Sequence, residues 1–228
     1  IKLGNYIVSS EKSSNYNSKL INENSSNTEL VENIKHWTKS VLLITHCLQS
    51  GSDESIHAIN ITRNIVLSDY PRLYFNWQML KNYFDLKRVH PEFYIGGPCE
   101  SNKCFALVRF NYEYKNLLNF TEIDYNLVIN GTETILFSKI EIIIYLLNHY
   151  PNCFIYNNKD KIEVKIVWGI AGWSKTQLLG ELAKGSWGIS RPYMKEIMEE
   201  NELWEKLIKS SRPIYCGIND FSEKYGCE

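Results

Sequence analysis

Cysteine and histidine side chains are the first candidates for chemistry in this chain, because an imidazole base can activate a nearby thiol as a nucleophile. Cys47 and His57 lie in two apolar stretches that are typical of the strands of one hairpin, and Cys99 follows a Gly-Gly-Pro sequence, where a loop thiol can be exposed. Neighbouring residues on a strand face opposite sides, so His46 points away from Cys47 and only His57 or a remote histidine can serve it. These residues suggest a thiol enzyme, and free structural thiols are the alternative.

Residues 168–187, with the sequence WGIAGWSKTQLLGELAKGSW, form the most distinctive motif. A strand is predicted to run into Gly169 and to end in a turn at 169–173, where the small residues let a ligand or a second backbone approach closely. Ser174 and Gln177 have the spacing of a capping box, which predicts a helix start. A strand, a glycine turn and a capped helix can hold an anion. The Gly-Lys-Ser/Thr ending of a phosphate loop is absent, however, and close packing of the turn is the alternative.

The elements that must position these residues are those of a mixed fold. Apolar stretches predict strands at 3–8, 40–46, 55–62, 93–95, 105–110, 125–129, 153–156 and 162–168. Helical spacing of apolar residues predicts helices at 76–86, 139–149, 176–183, 193–199 and 202–210, with Ser138 as the cap of the second. Strands and helices without strict alternation indicate a single α+β domain. A Ser- and Asn-rich stretch at residues 9–33 has no apolar face and is predicted to be an insertion.

The charge balance excludes some classes of partner. The 228 residues include 25 Lys and Arg and 26 Asp and Glu, which gives a net charge of −1 at pH 7. Proteins dedicated to nucleic acids or membrane surfaces concentrate positive charge, so we expect neither kind of partner. The longest apolar run, at 142–147, is far shorter than the ~20 residues that a membrane span needs.

The six cysteines give no sign of a metal site. None lies in a C-x-x-C pair, and none has a zinc-ligand spacing with a histidine. No nucleotide fingerprint and no G-x-S-x-G or H-E-x-x-H motif occurs either. We therefore expect no metal and no cofactor, and we expect an intracellular, cytoplasmic protein. Import into an organelle through a removed leader stays open, since the sequence begins at Ile1.

Taken together, several segments resemble the AlgH family. Ser40–His46 is similar to the family's S-V-I-L-L strand with a histidine after it, and residues 94–98 are similar to its F-G-G-P sequence. Residues 169–187 resemble its most specific signature, G-Y-A-G-W followed by Q-L and by separated Glu and Trp residues, with Ile170 in place of the tyrosine. Asn60 matches a G-L-V-I-N segment loosely, because the glycine and the Arg-Pro that usually flank this asparagine are absent.

The resemblance implies an α+β fold in which a mixed β-sheet is curled into a barrel or half-barrel and flanked by helices. The family name also implies a regulatory role. The chain carries no recognisable DNA-binding motif, and its neutral charge gives no electrostatic footprint for DNA. A transcriptional regulator is therefore the weakest of the functional hypotheses.

Two other hypotheses come from the motifs and the resemblance. The first is a non-catalytic binding or regulatory protein with a cleft between the turns at 96–98 and 169–173, which holds an unknown small molecule or protein partner. Its expected ligand-binding residues are Asn60, Gly96, Gly97, Pro98, Gly169, Ala171, Gly172, Trp173, Gln177 and Trp187. The second is a thiol-dependent enzyme with Cys99 or Cys47 as the nucleophile and a histidine such as His57 as the base.

Overall fold

A computed structural model describes residues 4–11, 20, 37–50, 53–114, 116, 126–130, 133–199 and 202–216. Most of the predicted insertion at residues 9–33 lies outside the described residues, and so does Cys227. The turn predicted at Asn130-Gly131 is described only up to Asn130, where a strand ends.

Ten strands of the described residues form one sheet. They are β1 (Tyr6–Ser9), β2 (Val41–Ser50), β3 (Asp53–Asn60), β4 (Val89–Ile95), β5 (Cys99–Asn111), β6 (Asn126–Asn130), β7 (Glu133–Lys139), β8 (Ile162–Ser174), β9 (Trp187–Ser190) and β10 (Ile214–Tyr215). The helices with described bounds are α1 (Pro71–Leu80), α2 (Ile140–His149), α3 (Lys175–Ala183), α4 (Met194–Glu199) and α5 (Leu203–Lys209). Short 3₁₀ turns lie at Leu67–Asp69, Lys81–Tyr83, Tyr112–Tyr114 and Pro151–Cys153.

Strand β8 is the centre of the sheet. Along one edge of β8, β3 pairs with residues 171–174 and β4 pairs with residues 162–168, while β5 pairs with the opposite edge. The strand order is β10-β9-β1-β2-β3-β8-β5-β7-β6, with β4 beside β8. The β4–β8 pair is parallel and the other pairs are antiparallel, so the predicted mixed sheet is confirmed. Across the described strands the sheet does not close into a barrel, so the closed form that the resemblance allowed is not observed.

Helices cover both faces of the sheet, which explains why β8 is apolar along most of its length. Ile162, Val164, Ile166 and Trp168 pack with α1 and α2 on one face. Val167 packs on the other face with residues of α4 and α5. A third apolar cluster joins β2, β3 and the end of β8 to α3. Alternate residues of β8 thus pack against helices on opposite faces of the sheet, in agreement with the confirmed α+β class.

Several predicted bounds differ from the structure, and three of the corrections have a local reason. Helix α1 begins at Pro71 rather than at Asn76, because proline is favoured at the first helical position. Ser138 does not cap α2; it is buried in β7, and Lys139 occupies the N-cap without a side-chain hydrogen bond. The predicted strand at 153–156 is a 3₁₀ turn followed by two isolated bridges.

Candidate functional site

Gly96 and Gly97 bring the end of β4 into direct backbone contact with β8. A Cβ atom on Gly96 would overlap the carbonyl oxygen of Gly169, and one on Gly97 would overlap the carbonyl group of Ile170. Gly169 has a φ of +74°, which only glycine adopts without strain. Strand β8 nevertheless continues through residues 169–173 to Ser174, so these residues do not form the turn that the sequence suggested. Backbone atoms fill the space directly between the two glycine segments.

An apolar cavity of about 340 Å³ opens beside Gly97. Its walls are formed by Tyr70, Leu73, Ile95 and Trp168. Its rim is polar and includes Ser101, an exposed residue of the irregular part of β5 where the pairing with β8 shifts register. The Gly-Gly-Pro segment thus borders open space, although not on the side that faces residues 169–173. Pro98 is exposed.

A second, polar cavity of about 470 Å³ is built around Asn60. Asn60 is buried, and its side-chain amide donates to Ser40 Oγ over 3.1 Å. Its Oδ1 accepts from the backbone N–H of Thr62 at 3.0 Å and of Arg63 at 3.2 Å. These bonds hold the chain after β3 in a tight turn and place polar groups of residues 62–64 along the cavity. The Asn60 side chain fixes this loop, because its own polar atoms are already bonded.

Tyr70 lines both cavities. The backbone N–H of Asn60 also donates to the carbonyl oxygen of Gly96 over 2.8 Å, so the polar loop and the glycine segment are tied to each other. We call the combined space the Tyr70 cleft; its apolar half is bounded by Leu73, Ile95 and Trp168, and its polar half by Asn60 and residues 62–64. The cleft offers an apolar surface and a set of hydrogen-bonding groups to one molecule.

The tryptophans of the motif at residues 168–187 form a separate network around Glu181. Oε2 of Glu181 accepts from the indole N–H groups of Trp173 at 3.1 Å and Trp187 at 2.8 Å. The Gln177 amide donates to the other carboxylate oxygen over 3.0 Å. The two indole rings and that of Trp37 lie 5.8 to 6.3 Å apart between centroids, which is direct contact. Hydrogen bonds from Trp173 and Trp187 to Glu181 therefore hold α3 against β8 and β9.

The predicted capping box at the start of α3 is only half present. Ser174 Oγ accepts from the backbone N–H of Gln177 over 3.1 Å, as expected. The Gln177 side chain does not return to Ser174, however, because it donates to Glu181. The second half of the capping-box prediction is thus wrong, and the competing partner is the carboxylate that orders the tryptophans.

Cys99 and His57 are brought to one surface by Gly172. A Cβ atom on Gly172 would lie 3.9 Å from Cys99 Sγ and 3.6 Å from Cδ2 of His57. The absent side chain leaves the thiol and the imidazole facing the same space, and Cys99 is exposed. The ring of His46 is 5.9 Å from that of His57, its cross-strand partner.

Cys47 does not join this group. It pairs with Ile56 and so faces the side of the hairpin opposite to His57. Cys47 is exposed, yet partial burial of its thiol raises the pKa, an effect to which Glu54 adds, whereas a nucleophilic thiol needs a lowered pKa. The structure therefore separates Cys47 from the histidine that the sequence offered it.

Tyr70 and Trp168 were missed as cleft residues. Pro71 in the sequence was a usable signal, since proline at the first helical position would have placed Tyr70 at the N-cap of α1. Trp168 was assigned only to a strand, and nothing in the sequence shows which helix covers its ring.

The described residues contain no group of three or more His, Cys, Asp or Glu side chains able to hold a metal ion. None of the helices described is long and apolar enough to cross a membrane.

Comparison with known proteins gives a family. Residues 35–215 match the family model described as AlgH-like. No curated protein matches the sequence significantly. The solution structure of the AlgH protein from Pseudomonas aeruginosa is similar with a TM-score of 0.47 and 13% identity, over 99% of this chain and 95% of that chain. The crystal structure of protein DIP2367 from Corynebacterium diphtheriae is similar with a TM-score of 0.46 and 14% identity, over 76% of this chain and 78% of that chain. Because the family model spans well over half of its residues, the chain belongs to the AlgH-like family.

Proposed function

We propose that this protein is a non-catalytic binding protein and that the Tyr70 cleft holds its ligand. The observation that carries the proposal is that an apolar and a polar cavity share Tyr70 as a lining residue, beside the Gly-Gly-Pro segment. Ligand sites are typically mostly apolar with a few fixed polar groups, and measure about 300–1,000 Å³. In this proposal Gly97 borders the ligand and Asn60 holds the loop that contacts it.

The lining of the cleft indicates the class of ligand. Leu73, Ile95 and the Trp168 ring offer contact to an apolar body. The polar half contains basic and acidic side chains together, and Lys39 is paired with Glu205 over 3.0 Å. A small organic molecule with an apolar body and an uncharged hydrogen-bonding end fits this lining. A regulatory role, in which such a ligand is the signal, is compatible with the same site.

The test is to capture the ligand and to block the apolar half of the cleft. The immobilised protein is incubated with a metabolite extract and washed, and the molecules released on denaturation are identified by mass spectrometry. Ser101→Trp introduces a large ring at the rim of the apolar half, at an exposed position that the fold does not need. We expect at least one apolar metabolite to be retained by the unaltered protein and at least tenfold less of it by Ser101→Trp, since a blocked apolar cavity loses several kcal/mol of contact.

Asn152→Trp is the matched control, because Asn152 is exposed and lies in neither half of the cleft. It should retain the same molecule as the unaltered protein. Recovery of no specific molecule, or equal recovery with Ser101→Trp, would contradict the proposal.

A thiol enzyme is the second candidate, and the shared contact of Cys99 and His57 with the Gly172 position is the observation that favours it. If His57 activates Cys99, His57→Ala slows alkylation of Cys99 by iodoacetamide at pH 7 several-fold. Cys104, a thiol whose pKa is raised by burial, is the internal reference and should react slowly in both proteins. Equal alkylation rates of Cys99 with and without His57 would remove this candidate.

We also propose that the protein acts in the cytoplasm. The five cysteines within the described residues are all free, and two of them, Cys47 and Cys99, are exposed. Exposed thiols persist in compartments that keep them reduced. This proposal is tested by locating the full-length protein in cells by fluorescence or fractionation.

A further inference from the structure

A third cavity, of about 760 Å³, lies at the other end of β8 and has no lining residue in common with the Tyr70 cleft. Charged and polar side chains dominate its wall. They include Glu92, Arg109, Lys159, Lys161, Glu163 and Lys195. A charged cavity on a sheet whose faces are otherwise apolar needs a physical explanation.

The register of the sheet collects these charges on one face. Lys165 pairs with Glu92 on β4 and with Leu107 on β5. Glu163 is two residues before Lys165, and Arg109 is two residues after Leu107. Because side chains two apart on a strand share a face, all of these charges point to the same side as Lys165.

Lys165 is a buried cation beneath the cavity, with only 3% of its surface exposed. Its Nζ donates to the Tyr94 hydroxyl over 2.9 Å and lies 3.7 Å from Oε2 of Glu92. The Tyr94 hydroxyl donates to the same carboxylate oxygen over 2.8 Å. A buried charge is retained only with partners of this kind. Glu92 is therefore occupied from below and contributes little negative charge to the space above.

In the described wall of this cavity the lysines without an ion pair outnumber the carboxylates without one. Glu163 accepts from the Asn157 amide over 2.9 Å, and Arg109 donates to Glu133 over 2.7 Å. Within the described part of the chain, Lys159, Lys161 and Lys195 form no ion pair. Three lysine ammonium groups thus line one cavity in a chain whose net charge is −1, and among the described lining residues Glu163 is the carboxylate without a cationic partner.

We propose that this cavity binds a phosphate group, either as free phosphate or as part of a small phosphorylated metabolite. A phosphate monoester carries between one and two negative charges at neutral pH and presents three acceptor oxygens. Lysine ammonium groups bind phosphate as point charges, and three of them match three oxygens. The size of the cavity accommodates a sugar-sized body, since ligand pockets of about 300–1,000 Å³ hold such molecules.

The test is calorimetric titration of the full chain with inorganic phosphate, pyrophosphate and glucose 6-phosphate at constant ionic strength. We expect saturable binding of at least one of the three. Lys161→Gln and Lys195→Gln should each weaken it about 3- to 10-fold, because each removes one charge-assisted hydrogen bond. Lys184→Gln is the matched control, since Lys184 is exposed and outside the cavity, and it should leave the affinity unchanged.

The three probes separate the two sources of the phosphate group. Binding of inorganic phosphate as tight as that of glucose 6-phosphate assigns the site to the free ion, and binding of the ester alone assigns it to a metabolite. Absence of binding for all three probes, or an equal loss of affinity in Lys184→Gln, would overturn the proposal. Ser101→Trp should bind the probes normally, so the result is independent of the Tyr70 cleft.

Discussion

Two buried tyrosines differ in what their hydroxyl groups contact. Tyr94 donates to Glu92 and accepts from Lys165. The Tyr6 hydroxyl is fully buried and has no hydrogen-bond partner among the described residues. A buried polar group without a partner costs about 1–3 kcal/mol, whereas a satisfied one stabilises the fold. The same atom therefore has opposite effects at the two positions.

Removal of each hydroxyl tests this difference. Tyr6→Phe should raise the free energy of unfolding by about 1 kcal/mol, because it deletes an unsatisfied group without creating a cavity. Tyr94→Phe should lower it by about 1–3 kcal/mol, because Lys165 and Glu92 lose a shared partner. Urea unfolding of the two variants beside the unaltered protein gives both values. Equal destabilisation by the two substitutions would show that the Tyr6 hydroxyl is satisfied.

At the scale of elements, the contact of the Gly-Gly-Pro segment with β8 and the interior of helix α3 place glycines under very different constraints. Gly97 has backbone atoms of Ile170 and Ala171 where a Cβ atom would lie. Gly180, inside α3, has no atom within 4 Å of that position. The first glycine allows two strands to touch, and the second only weakens a helix.

We therefore predict opposite signs for the same substitution. Gly97→Ala should cost more than about 3 kcal/mol, since backbone atoms cannot move aside. Gly180→Ala should stabilise the protein by about 0.5–1 kcal/mol through helix propensity. Thermal and urea unfolding of both variants measure the effect. A stable, correctly folded Gly97→Ala protein would refute the close contact at this position.

The elements that periodicity specifies were predictable from the sequence, and the contacts between distant elements were not. The hairpin of β2 and β3, strand β8 to Trp168 and helix α3 were predicted from apolar patterns, which are local. The continuation of β8 through residues 169–173 was missed, because Gly169 indicates a turn unless its partner strand is known. The role of Glu181 was missed for the same reason: a glutamate on a helix is usually solvated, and only the packing of α3 brings two indoles to it.

The candidate site shows the same limit. The Gly-Gly-Pro motif and Asn60 lie at the two cavities, but the position of Tyr70 in the lining of both depends on tertiary packing, which leaves no periodic signal. The phosphate cavity was not predicted from the sequence at all. A lone lysine inside the apolar run 162–168 signals a buried charge, and its register with Glu92 can be known only once β4 is placed beside β8.

At the scale of the whole molecule, stability should depend on alkaline pH. Burial raises the pKa of Tyr6 and of Tyr94 well above their usual value near 10, with nearby glutamates adding to the effect. A raised folded-state pKa gives stability that is complete below pH 10 and is lost as pH rises, because the unfolded chain releases these protons first. Burial lowers the pKa of Lys165, against the opposing effect of Glu92, so this group makes the protein more stable as pH rises toward 10.5.

The net prediction is a fall in stability that begins near pH 9, because burial also raises the pKa of the Cys104 thiol, and that steepens above pH 10 where the tyrosines contribute. Above pH 10 the free energy of unfolding should decrease by about 1.4 kcal/mol per pH unit for each buried tyrosine that stays protonated in the folded state. Urea midpoints between pH 8 and pH 11.5 measure this decrease. Tyr6→Phe should make the decrease of the free energy of unfolding with pH smaller by about 1.4 kcal/mol per pH unit, which is the contribution of one tyrosine. An unchanged slope in Tyr6→Phe would mean that Tyr6 does not titrate differently in the two states.

The central claim is that the Tyr70 cleft is where this AlgH-like protein binds its ligand, and hydrogen–deuterium exchange with the captured metabolite tests it most directly. We predict slower exchange on binding in residues 60–73 and 95–101, which form the cleft and its rim. Residues 156–163, at the phosphate cavity, should be unaffected. Protection confined to any other region, or no protection with a metabolite that demonstrably binds, would contradict the claim.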